Sequence, residues 1–372
     1  MTRPERRLRI AFYAPLKAPT HPVPSGDRLM AQLLTQCLNI AGHHVDLVSD
    51  LRAYLGDAQD VTGWAALQAA AKLEQDRICA DWAKSGPPDL WLCYHPYYKA
   101  PDLLGPTLAQ QFGLPYVTIE TSISARRNLG IWSEMQAQVE KGVQQASLNL
   151  CLTARDAAGL QLATPSARFA RFAPFIQTDA FAAPPNPQPG HLVTVAMMRQ
   201  GDKADSYRRL AATLALLPSD LEWRLAVVGG GPLCDEVRAM FRGLPADRVN
   251  WLGEQPPQQI ATLLSQAWAY VWPGCGEAYG LAYLEAQAAG VPVVAQRVAG
   301  VPEVVADGET GFLTAEGDDA AAAAAIARLL RDPDLQRRMG QAARVRVLRD
   351  HALAGAAHRL STVLQTLVKV AV

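Results

Sequence analysis

The sequence predicts an α/β protein built from two Rossmann-like domains with parallel sheets. At 372 residues the chain exceeds what one hydrophobic core usually organises. Short apolar runs alternate with helix-length segments, the signature of βαβ units, and the alternation restarts near Leu192. Between the two series, residues 181–190 (FAAPPNPQPG) hold four prolines in ten positions, which cannot donate ladder hydrogen bonds and favour an extended linker.

In chain order, the first series has strand-like runs at 8–14, 45–49, 90–94 and 116–120, with a helix over 28–41 after the first run. The second has runs at 192–196, 223–228, 249–252, 269–272 and 291–295, with a helix over 207–217. The chain then reads as helices, one closing near Arg331-Asp-Pro-Asp334, one over 335–349 and a last one from about Ala352. The sequence therefore places a first domain at 1–175, a second at 176–350 and a terminal helix at 351–372.

Lys+Arg and Asp+Glu number 35 each, a formal charge of zero, which argues against a nucleic-acid partner bound through its phosphates and leaves any anion site local. The six cysteines show no CxxC or Cys/His spacing, so neither a disulfide framework nor a structural zinc site is expected. The basic amino terminus precedes an apolar run that soon meets Pro15 and Lys17, too short for a signal peptide. No run reaches the roughly 18 apolar residues of a spanning helix. A cytoplasmic protein is expected, peripheral at the inner face of the membrane if it acts on a lipid.

The most informative stretch runs from Trp272 to Ala295 (WPGCGEAYGLAYLEAQAAGVPVVA) and reads strand, loop, helix, strand, with Gly290 closing the helix and Pro292 behind it. Glu277 then lies at the helix mouth and Glu285 more than one turn inside, with the N–H groups of Tyr279, Gly280 and Leu281 between them as an anion cradle. Two carboxylates there can accept hydrogen bonds from sugar hydroxyls on either side of a pyrophosphate. By spacing alone, the pair is equally the ordinary preference of acids for first turns. A second constellation, Val195-Ala-Met-Met-Arg199-Gln-Gly-Asp-Lys203, puts two cations in the loop after a strand, where they can clamp a diphosphate or simply face solvent.

The 272–295 stretch closely resembles the ExxxxxxxE region of the family-4 retaining glycosyltransferases, and the following GVPEVVADGETGFL (300–313) resembles that family's next signature. The resemblance implies the GT-B fold: two facing Rossmann-like domains with a carboxy-terminal helix crossing back to the first. It implies that Glu277 contacts the transferred sugar, that Glu285 contacts the ribose, and that Arg199 and Lys203 hold the diphosphate. Three residues separate those cations where the family usually has four. It further implies transfer of a hexose-type sugar from a UDP- or GDP-linked donor to a hydroxyl acceptor of a glycan, lipid or small molecule, with retention and with neither cofactor nor metal.

In the first domain, the loop before the 28–41 helix ends in Pro24-Ser25-Gly26-Asp27. Ser25 or Asp27 can cap that helix, while Gly26 matches the family's donor-approaching glycine loop, with Asp27 where a second glycine is usual. His95, followed by Pro96 after the 90–94 strand, resembles the family histidine that lines the sugar pocket and joins Glu277 as a catalytic candidate. Glu120, at the end of the next strand, is a candidate for orienting the acceptor hydroxyl, and Asp27 is a second acceptor-side candidate. Trp82, Trp132 and Tyr97-Tyr98 are aromatic side chains that could meet an acceptor of any of these classes.

Two look-alikes are set aside. Asp332-Pro333-Asp334 spells the DxD of metal-dependent transferases, but helix capping explains it. Val228-Gly-Gly-Gly231-Pro lacks the third glycine and the later acid of a dinucleotide fingerprint. A sugar-nucleotide epimerase, a glycan phosphorylase and a catalytically silent sugar-nucleotide-binding protein are the rival readings.

Overall fold

The computed structural model describes residues 6–370, in two compact units: Met1–Ala173 with Leu353–Val372, and Pro174–Ala352. Residues 1–5, the start of the basic amino terminus, and residues 371–372 lie outside the described residues.

The first unit runs β1 (Arg9–Tyr13), α1 (Gly26–Ile40), β2 (His44–Leu47), α2 (Val61–Ser85), β3 (Leu90–Tyr94), α3 (Gly105–Phe112), β4 (Tyr116–Ile119), α4 (Ile131–Gln145), β5 (Leu148–Cys151), α5 (Ala154–Ala163) and β6 (Phe169–Arg171). All six strands are parallel, in the order β2-β1-β3-β4-β5-β6. Parallel strands are covered on both faces, so a central one reads as an unbroken apolar run. Leu90-Trp-Leu-Cys-Tyr94 is such a run and is buried along its whole length.

The second unit runs β7 (His191–Val195), α6 (Asp202–Ala215), β8 (Arg224–Val228), α7 (Cys234–Met240), β9 (Val249–Gly253), α8 (Pro257–Ser265), β10 (Ala269–Val271), α9 (Leu281–Ala288), β11 (Val293–Gln296), α10 (Val301–Val304), β12 (Gly311–Thr314), α11 (Asp319–Arg331) and α12 (Pro333–Arg346). Its parallel order is β9-β8-β7-β10-β11-β12, which numbered within the unit is the Rossmann order 3-2-1-4-5-6. The proline-rich segment lies inside this unit, with Asn186 and Gln188 N–H groups bonded to Ser265 and Gln266 carbonyls.

The last helix, α13 (Leu353–Val370), belongs to the first unit, where it packs on α1 and Ser361 Oγ meets His43 Nε2 at 2.9 Å. The core beneath β1 and β3 centres on Tyr13, Trp82, Trp91 and Tyr116. Buried Asp102 is its polar hub, accepting from Trp91 Nε1 (3.0 Å), the Tyr116 hydroxyl (3.2 Å) and the Leu104 and Gly105 amides (2.9 and 2.7 Å). Trp82 packs edge-on against Trp91 and Phe112, so it is a core residue and not an acceptor contact. No helix among the described residues is long and apolar enough to cross a membrane.

Candidate functional site

In an open α/β sheet, ligands sit outside the carboxyl ends of the strands where the strand order reverses. In the second unit that point lies between β7 and β10. Arg199 follows β7, and Glu277 follows β10. Lys203, expected in a loop, sits instead on the first turn of α6, behind Gly201 at φ +79°. That turn aims its ammonium at Glu277: Nζ stands 2.5 Å from Oε2, both side chains about one-fifth exposed, with the Trp272 ring 5.6 Å below. Arg199 is exposed and has no carboxylate partner among the described residues.

The loop carrying Glu277 is shaped by Gly274 and Gly276, which the sequence did not single out, and by Gly280, which it did. Gly274, Gly276 and Gly280 have φ of +72°, +63° and +78°. A Cβ at Gly274 would meet the Tyr283 hydroxyl at 2.1 Å, and one at Gly276 would meet Asp202 Oδ2 at 2.3 Å. The Cys275 amide donates to Ser206 Oγ (2.9 Å) and the Tyr283 hydroxyl to the Trp272 carbonyl (3.1 Å), so α6 and α9 pin the loop from both sides. Gly280 ends the loop and α9 begins at Leu281. First-turn amides have no intrahelical acceptor, so Gly280 and Leu281 present the positive end of α9. Tyr279 is buried and partnered within the fold.

Glu285 lies on the second turn of α9, half-buried, and its carboxylate has no hydrogen bond or ion pair among the described residues. Burial alone pushes it up from the usual range to about 7. One helix mouth thus carries an ion-paired glutamate and an unpaired one.

The glycine triplet after β8 acquires a role. Gly229 (φ +134°) and Gly231 (φ +146°) lie so close to the loop after β7 that a Cβ would come within 2.0 Å of the Ala196 carbonyl oxygen and 2.4 Å of that of Met198. The Met198 amide donates to Gly230 O (2.8 Å) and the Leu233 amide to Met198 O (3.1 Å), lacing down the segment that ends in Arg199. The other look-alike caps a helix: Asp332 Oδ1 accepts from the Leu335 amide at 2.8 Å, Pro333 opens α12, and Asp334 pairs with Arg337.

In the first unit the order reverses between β1 and β3, and the remaining candidates gather there. Ser25 caps α1, accepting from the Arg28 amide at 3.2 Å. Asp27 is thereby free to pair with His95, Oδ1 to Nδ1 3.2 Å. His95 and Glu120 directly follow the adjacent strands β3 and β4, and both hold the left-handed backbone conformation, φ +57° and +59°, that ordinary residues avoid. Their amides are tied to Ile119 O (2.8 Å) and Leu150 O (3.0 Å). Burial disfavours the charged His95 ring, but the Asp27 contact and the Glu120 and Asp156 charges outweigh it and push it up to about 9. Asp27 is correspondingly held below the usual carboxylate range: burial raises it, and His95, a backbone hydrogen bond and Lys17 together lower it by more. A Cβ at Gly26 would meet nothing within 4 Å, so the fold itself does not require glycine there. Among the described residues no three His, Cys, Asp or Glu side chains gather where they could hold a metal ion.

Residues 185–346 match the family model described as Glycosyl transferases group 1. Over 143 residues the chain is 34% identical to N-acetyl-alpha-D-glucosaminyl L-malate synthase of Bacillus anthracis, covering 38% of this chain and 37% of that one. Over 197 residues it is 32% identical to a GDP-mannose-dependent alpha-(1-6)-phosphatidylinositol monomannoside mannosyltransferase of Mycolicibacterium smegmatis, covering 48% and 52%. The chain thus spans between about a third and a half of the length of these relatives. Sucrose-phosphate synthase of Thermosynechococcus elongatus superposes with a TM-score of 0.76 at 21% identity, over 98% of this chain and 100% of that one. With two six-stranded parallel sheets and the family match over the unit that carries Arg199, Lys203, Glu277 and Glu285, the protein has the GT-B fold and its residues 185–346 are a group 1 glycosyltransferase domain.

Proposed function

We propose that this protein is a retaining hexosyltransferase that moves a sugar from a UDP- or GDP-linked donor to a hydroxyl acceptor. The observation that carries the reading is the single edge between β7 and β10 on which Arg199, the Lys203–Glu277 pair, the amino end of α9 and Glu285 meet. In this reading Arg199, Lys203 and the open amides of α9 take the diphosphate, and charge-assisted hydrogen bonds of about 1.5–3 kcal/mol each outweigh the helix end at about 0.3–1 kcal/mol. The same groups stabilise the charge that grows on the departing nucleoside diphosphate, the role a metal plays elsewhere. Glu277 meets the sugar, Glu285 the ribose hydroxyls. His95, its ring pKa raised beside Asp27, contributes a positive charge at the carboxyl ends of β3 and β4 in the first unit. The GDP-mannose dependence in one relative's name supports a nucleotide-linked donor. The epimerase and silent-binder readings draw no specific observation to their side.

Thermal-shift titration with a panel of UDP- and GDP-sugars in chelator tests this, since a ligand at 100 times its Kd adds about 2.7 kcal/mol. A shift with at least one donor, followed by label transfer to an acceptor, is expected. Absence of any shift, or activity only on adding a divalent cation, overturns the donor or the metal-free part respectively.

A further inference from the structure

Beyond the donor edge, the segment after His95 builds a second feature in the first unit. The rings of His95, Tyr97, Tyr98 and Trp132 follow one another at centroid separations of 5.2, 5.3 and 5.6 Å. Lys99 lies over Trp132, Nζ 4.2 Å from the ring centre, and Arg52 lies over Tyr54 at 4.7 Å. Arg127 is close enough to act electrostatically on both Tyr98 and Lys99. None of Arg52, Lys99 and Arg127 has a carboxylate partner among the described residues, in a chain whose formal charges sum to zero.

The acids on the neighbouring segments are already engaged. Asp60 caps α2 through the Gly63 amide, Asp57 accepts from the Gln59 amide, Glu134 accepts from Trp64 Nε1, and Asp27 faces His95. Burial and the adjacent Arg127 both lower Lys99. Aromatic faces hold these cations favourably, while like charges held close to one another are costly and an anion between them relieves that cost. Aromatic faces beside cations also suit a polyhydroxylated ring carrying a charged group.

We propose that this arm is the acceptor subsite, and that the acceptor is a hydroxyl compound bearing a phosphate or carboxylate, gripped by Lys99, Arg127 and Arg52 beside Tyr97 and Tyr98. Only its designation as the acceptor subsite rests on the transferase reading; the anion site does not.

The full chain is titrated with glucose 6-phosphate and glycerol 3-phosphate against glucose and glycerol, and sedimented with phosphatidylglycerol vesicles against phosphatidylcholine vesicles, with UDP titrated in parallel. The phosphorylated member of a pair, or the anionic vesicle if the source is a lipid headgroup, should bind at least about tenfold tighter than its neutral counterpart. Lys99→Met, which keeps the stem over Trp132, and Arg127→Gln on the exposed surface should each weaken that binding severalfold and leave UDP binding unchanged. Equal binding of charged and neutral probes, or anion binding untouched by both substitutions, overturns the proposal. Anion binding without UDP binding would instead overturn the donor reading.

Discussion

Lys203 Nζ and Glu277 Oε2 stand 2.5 Å apart across 74 positions of sequence, a cation proposed for the diphosphate paired with a carboxylate proposed for the sugar. Without donor, each neutralises the other. A bound diphosphate would share or take over Lys203, coupling phosphate arrival to the freeing of Glu277. Glu277→Gln should therefore keep or improve UDP affinity while kcat falls about 10²–10³-fold, the range seen when one preorganised polar group is lost. Lys203→Gln should weaken UDP binding about tenfold or more. Calorimetry with parallel rate measurements checks the split; equal loss of UDP affinity in both variants would contradict it.

Glu285 should make donor binding depend on pH. Its carboxyl rises from the usual 4.5 to about 7 in the fold, so folding favours the protonated form. Stability attributable to this group falls as pH climbs from about 4.5 and levels off above about 7. A ribose hydroxyl is best accepted by the ionised form, so UDP affinity should rise through pH 7. Glu285→Gln should flatten that rise and narrow the stability loss between pH 5 and 8, followed by calorimetry and thermal melts.

His95, beside Asp27, has the same sign over a higher pH window. His95 is raised from 6.5 to about 9, so its contribution is fully present below about 6.5 and is lost as pH rises through about 9. In Asp27→Asn the ring should titrate lower, read directly by NMR of the His95 carbon-bound protons. An unchanged His95 titration would show that Glu120 and Asp156, not Asp27, hold the charge.

Two glycines should respond in opposite ways. Gly229→Ala forces a Cβ to within 2.0 Å of a backbone oxygen at φ +134°, and should cost about 1–3 kcal/mol in a melt along with the placement of Arg199. Gly26→Ala meets open space and should leave the melting temperature nearly unchanged. A fall in donor use in that stable variant would mean that the ligand itself approaches Gly26.

Much of the architecture was legible because it is local. The buried run Leu90–Tyr94 announces a central parallel strand, and the glycine behind α9 marks its end. Strand β6, three residues with no buried position, carries no such signal, and the apolar stripe of α2 (Trp64, Leu67, Ala71, Ile78, Trp82) is diluted by alanines on its other faces. The candidate site residues were picked one by one from their motifs. Their partners were not: the pairing of Lys203 with Glu277 and of Asp27 with His95 depends on which strand ends become neighbours. The glycine triplet looked like a failed cofactor loop because its purpose, close approach to the Arg199 segment, is visible only once β7 and β8 are adjacent.

The assignment of α13 to the first unit has a consequence for synthesis. Helix α1 packs on β2 and on α13, and α13 leaves the ribosome only after all of the second unit. The amino-terminal sheet must wait, with the α1 side chains that meet α13 uncovered, while the second unit is translated. Nascent chains arrested before Leu353 should present that face to chaperones, and release of the final eighteen-residue helix should complete both units almost together.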